Sequence, residues 1–73
     1  MTNLLQSAMA LHQAGMMADA ENTYRLVLRA EPNQADALAL LGTVLSEKKE
    51  HDEAIALIER ALSIDPQAAL FYF

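Results

Sequence analysis

The sequence predicts an all-α fold of antiparallel helix-turn-helix repeats, about four helices with a C-terminal stub, and three observations carry that reading. Pro32 in "RAEPNQAD" and Pro66 in "SIDPQAAL" each follow an acid and stand 34 positions apart. Sliding the chain by 34 pairs Leu4 with Leu38, Leu11 with Leu45, Ala20 with Ala54, Leu28 with Leu62 and Pro32 with Pro66, where chance gives about two identities over such a length. Within the units, apolar residues recur with a helical period. Leu38, Leu41, Gly42 and Leu45 fall at i, i+3, i+4 and i+7, and Ala54, Leu57, Ile58, Ala61 and Leu62 resume the pattern after a polar break.

Each element follows in order. The first unit takes residues 1–34, the second 35–68, and residues 69–73 begin a third or a capping segment. Gly15 ends the leading helix of the first unit, being free to adopt positive φ. Pro32 and Pro66 cannot continue a helix interior, so each is expected in the turn between units. Asn33 can cap the helix that follows, with Asp36 three residues on as a weaker relative of the capping box. The break in the second unit is "SEKKEHDE": Lys48 and Lys49 suit the negative end of one helix, and Glu50, Asp52 and Glu53 suit the positive start of the next.

Composition excludes several functions. A 73-residue chain buries only about 60% of its unfolded surface, so its stability leans on packing against neighbours. The absence of cysteine removes disulfides, thiolate metal sites and cysteine nucleophiles, and fits a reducing compartment. Ten acidic against five basic residues leave a net charge of -5, the wrong sign for nucleic acid. The start of the chain is interrupted by Gln6, His12 and Gln13, unlike a signal peptide. No run reaches the ~18 apolar residues of a membrane span, and a cytoplasmic protein is expected.

Two clusters invite chemistry. "EHDE", Glu50 to Glu53, sets a histidine among carboxylates, but consecutive residues entering a helix point about 100° apart and cannot converge on one metal or substrate. It reads as a solvated acidic helix start. Met9, His12 and Met16 do share one helix face and offer a soft site for Cu(I); methionine serves more often as adaptable packing, and that reading is preferred. Asp19, Glu21 and Arg25 read as helix-surface charge pairs. Nothing resembles a nucleophile triad, a phosphate loop or a cofactor fingerprint, so neither an enzyme nor a cofactor is expected.

The repeated constellation resembles the tetratricopeptide repeat family over essentially the whole chain. The second unit matches through Leu38, Leu41, Gly42, Leu45, Ala54, Ile58, Ala61 and Pro66, and the first through Leu4, Ala8, Leu11, Gly15, Ala20, Tyr24 and Pro32. The first unit departs with Ser7 where Leu is usual and with Val27 where a small residue lets the helices approach, so looser packing is expected there. The resemblance implies a protein or peptide partner bound on the concave face lined by the first helix of each unit. Its groove positions fall on Thr2, Leu5, Met9, His12 and Gln13, then Asp36, Ala39, Thr43, Ser46 and Glu47. Family members that clamp the acidic C-terminus of heat-shock chaperones use Lys and Asn at such positions; neither occurs here, and Asp36 and Glu47 would repel a carboxylate.

The tail "AALFYF" holds three of the four aromatic residues. With Ala69 as position one of a third unit, Tyr72 takes its first large position. Because arrays need about three units and a polar cap, the chain reads as the N-terminal part of a longer array, the alternative being a native end folded back on the second unit. Leu70, Phe71, Tyr72 and Phe73 are the expected self-association residues, giving a homodimer or domain-swapped oligomer. In the alternative function the array is the N-terminal arm of a larger bacterial enzyme, glycosyltransferase-like or sulfotransferase-like.

Overall fold

A computed structural model describes residues 3–72, in which five helices follow one another: α1 (Leu4–Gln13), α2 (Met17–Ala30), α3 (Ala35–Glu47), α4 (His51–Ile64) and α5 (Pro66–Tyr72). No strand occurs among the described residues. Helices α1 and α2 form one antiparallel hairpin and α3 and α4 a second; α2 packs against α3, and α5 lies on α3 and α4. The 34-residue periodicity holds at atomic level. Helix α4 begins and ends 34 residues after α2, and the C-cap amides of Glu31 and Asp65 close on the Val27 and Ala61 carbonyls, again 34 apart.

The core follows the helical stripe. Ala8, Ala20, Tyr24, Leu40, Leu41, Val44, Leu45 and Ala54 form one buried cluster, with Leu5, Met9, Leu11, Met17, Leu28 and Leu57 packed around it. A second joins Leu38, Ala39 and Ala61, with Leu28 and Leu57 at its edge. Helix α3 therefore runs at the centre of the molecule, buried over eight of its residues. Within the second hairpin the helices approach at Gly42: a Cβ there would lie 2.8 Å from Ile58 Cγ1 and 3.3 Å from the Ala54 carbonyl oxygen. Ala8, 34 positions earlier and fully buried, lies in the same buried cluster as Tyr24 of α2.

The turns obey local chemistry, with two departures from expectation. Gly15 does leave α1 with φ of 82°, and Lys49, its counterpart one repeat later, has φ of 67°, a conformation that costs a residue with a Cβ about 1–2 kcal/mol. Asn33 does not cap α3. Gln34 does, its side-chain oxygen accepting from the Ala37 amide at 2.8 Å, because the turn needs both Pro32 and Asn33 to reverse the chain. Pro66 lies in the first turn of α5, not in the preceding turn, where its missing N–H costs nothing. Asp65 caps it, accepting from the Gln67 and Ala68 amides, so the helix starts three residues before Ala69.

Candidate functional site

Helices α1 and α3 run side by side and in the same direction, since each leads an antiparallel hairpin. At the C-terminal end His12 reaches across: its Nε2 lies 3.4 Å from each carboxylate oxygen of Glu47, and its Nδ1 lies 3.4 Å from the Tyr24 hydroxyl. The His12 ring stands edge-on to Tyr24, centroids 6.2 Å apart. With the proton on Nε2, His12 donates to Glu47 and accepts from the buried tyrosine, so it is tied to α2 and α3 together. At the N-terminal end an open cleft of about 240 Å³ lies between the start of α1 (Asn3, Leu4, Leu5), the end of α2 (Val27, Ala30) and the α2–α3 turn (Glu31, Gln34).

The expected groove residues divide by exposure. Gln13, Ser46 and Glu47 are exposed; Leu5, Met9, His12, Asp36 and Thr43 are half-buried. The Thr43 hydroxyl donates to the Ala39 carbonyl at 3.1 Å. Ala39 is fully buried beside Leu38 and Ala61, so it shapes the face from beneath and presents no surface. Thr2 lies outside the described residues. Met16 is exposed at the turn, while His12 is engaged with Tyr24 and Glu47, so the methionine–histidine face is not assembled into one site. Among the described residues no group of three His, Cys, Asp or Glu side chains could hold a metal ion.

The cleft is where sequence reasoning stopped short. Val27 was the departure that signalled looser packing, and it is buried at the cleft floor; Asn3, Glu31 and Gln34 on the rim carry no periodic signal of their own. The Asn3 and Gln34 side-chain oxygens are spent capping α1 and α3. Their amide groups remain as donors. Glu31 lines the cleft and Glu47 faces His12, and neither the cleft lining nor the expected groove set contains Lys or Arg.

A charge ladder joins the hairpins elsewhere. Glu21 pairs with Arg25 one turn on (3.0 Å) and with Lys48 of the α3–α4 turn, while Arg25 also reaches Glu53 in the first turn of α4 at 3.1 Å. The Lys48 hydrogen bond lowers the Glu21 pKa from its ordinary value, against partial burial and helped by Arg25. Glu21 in turn raises Lys48. Burial works against the Arg25 charge, but Glu21 and Glu53 outweigh it and raise its pKa. The surface pair expected from Glu21 and Arg25 is thus half of an inter-hairpin network; Asp19 stands outside it. "EHDE" is exposed at the start of α4.

At the C-terminal end Leu70 is 70% exposed. Phe73 and the side chains of Phe71 and Tyr72 lie outside the described residues. No helix among the described residues is long and apolar enough to cross a membrane.

A tetratricopeptide repeat family model matches residues 3–72. Two curated relatives, putative cellulose synthase operon protein C of Escherichia coli O157:H7 and cellulose synthase operon protein C of Escherichia coli strain K12, are each 33% identical over 61 residues. The match takes in 84% of this chain but only 5% of either relative. No solved structure matches.

Proposed function

This chain belongs to the tetratricopeptide repeat family, and we propose that it is a non-catalytic protein-interaction module that holds a peptide or protein segment on the face formed by α1 and α3. The observation that carries this reading is the side-by-side placement of α1 and α3, bridged by His12 and Glu47 at one end, with an open cleft between α1 and the α2–α3 turn at the other. The face is acidic and partly apolar, which favours a segment with apolar anchors and Lys or Arg beside them. The contacts are assigned to Leu5, Met9, His12, Gln13, Asp36, Thr43, Ser46 and Glu47, over the floor formed by Ala39. The lack of cysteine fits a cytoplasmic site of action.

A peptide array tests it. Basic-apolar peptides should bind several-fold more tightly than acidic ones of the same length, and Asp36→Lys with Glu47→Lys should erase the preference. Equal binding of both classes would overturn the charge assignment. A second reading places another helical hairpin, from a second copy or a different chain, on the open C-terminal end around Leu70. Exposed Ile55, Leu62 and Ile64 on α4 favour it. The alternative arm-of-an-enzyme reading draws on the length of the bacterial relatives, of which this array is a small share. A full-length gene product with sugar- or sulfate-transfer activity, retained after Asp36→Lys, would support it.

A further inference from the structure

We infer that the open outer face of α4 is built for a helical hairpin unlike either of this chain's own: one that sets an apolar side chain against Ile55 and a cation against Glu59. The internal joint supplies the template. There α2 meets the α3–α4 hairpin through Glu21 on Lys48, Arg25 on Glu53, and Leu28 against the Leu38 cluster. Because α4 repeats α2 with a shift of 34 residues, the same three places on the open face are held by Ile55, Glu59 and Leu62.

Two of the three have changed chemistry. Glu21 is replaced by Ile55, 53% exposed, and Arg25 by Glu59, which has no ion-pair or hydrogen-bond partner among the described residues. Leu62 keeps its type, and is 40% exposed where Leu28 is packed. Helix α5 packs on α3 and α4 but is only seven residues long, which spans roughly 10 Å, and Ile55 in the second turn of α4 stays 53% exposed.

Neither of the chain's own hairpins fits this face. A second unit stacked there would bring the equivalent of Lys48 onto Ile55 and the equivalent of Glu53 onto Glu59, stranding an ammonium on apolar surface and opposing two carboxylates. A second copy stacked head to tail would bring its leading hairpin, with Ala14 toward Ile55 but Asp19 toward Glu59. Asp19 is exposed and its side chain is unpaired, only its backbone carbonyl being used, by Thr23. The like charges act against homotypic stacking, and a matched hairpin turns them into attraction. The face thus distinguishes a different helical unit from a copy of itself.

The test extends the full chain in register by a second copy of residues 40–68, so that the copied Lys48 and Glu53 face Ile55 and Glu59. Replacing the copied Lys48 by Leu and the copied Glu53 by Arg should raise the urea midpoint by roughly 0.5 M. When the parent face is changed by Ile55→Glu with Glu59→Arg, restoring the chemistry of Glu21 and Arg25, the preference should invert and the unaltered copy should be the more stable. Equal midpoints for both copies on the original face, or a preference that does not invert, would overturn the inference. Peptide binding by the α1–α3 face is read separately and does not enter either outcome.

Discussion

The left-handed residue in the turn of each hairpin shows how one backbone requirement is met by two side chains. Gly15 satisfies it without strain and has nothing within 4 Å of the place a Cβ would occupy, so Gly15→Ala should cost about 1 kcal/mol through backbone conformation alone. Lys49 satisfies it at a cost. Lys49→Gly should raise stability by about 0.5–1 kcal/mol, read as a higher urea midpoint at unchanged slope; a lower midpoint would show that the lysine charge at the end of α3 outweighs the strain. Glu21 makes the residue-scale case for pH. Its folded pKa lies below its unfolded value, so its stabilisation is complete at neutral pH and is lost as pH falls through the ordinary carboxylate range to the folded value. Glu21→Gln should flatten the stability profile over that acid range, while a profile unchanged by Glu21→Gln would remove the network from the account.

Helices are placed by what lies at their ends and crossings. Gln34→Ala removes the side-chain cap of α3 and should cost about 1 kcal/mol, whereas Asn33→Ala, which touches no cap hydrogen bond, should cost a few tenths. Thermal melts of the two variants separate these outcomes. At the α3–α4 crossing the space above Gly42 is filled by Ile58 and by the Ala54 carbonyl. The isoleucine can shift but the backbone oxygen cannot, so Gly42→Val should destabilise by about 1–3 kcal/mol. The contrast between hairpins is informative here: Ala8 and Tyr24 fill in the first what Gly42 and Ile58 fill in the second. Both positions carry the larger side chain in the first hairpin, so the two crossings are filled by different volumes.

Across the molecule, α3 makes the two hairpins one cooperative unit. Leu38 is fully buried in the cluster that Leu28 of α2, Leu57 and Ala61 of α4 all touch. Leu38→Ala should therefore cost about 2–5 kcal/mol, comparable with the whole stability expected of so small a domain. Both hairpins should melt together, with helicity and tyrosine fluorescence changing in one transition; two separate transitions would mean that the joint contributes little.

Much of this is legible in the sequence. The 34-residue period, the apolar stripe and the glycine at residue 15 specify helix order, the hairpins and most of the buried set, because helix periodicity and turn sterics are local and are written in the chain a few residues at a time. The groove assignments rest on the family resemblance, since no local pattern marks a residue as facing a partner. What the sequence left undecided depended on residues distant in the chain but adjacent in space. Choosing Gln34 over Asn33 as the cap required the geometry of the turn. Recognising that Glu21 answers Lys48, that His12 joins Tyr24 to Glu47, and that Val27 floors a cleft with Asn3 and Glu31 required the helices to be docked. Pairwise charge and burial are properties of distance, and distance between helices is set only when the whole core has packed.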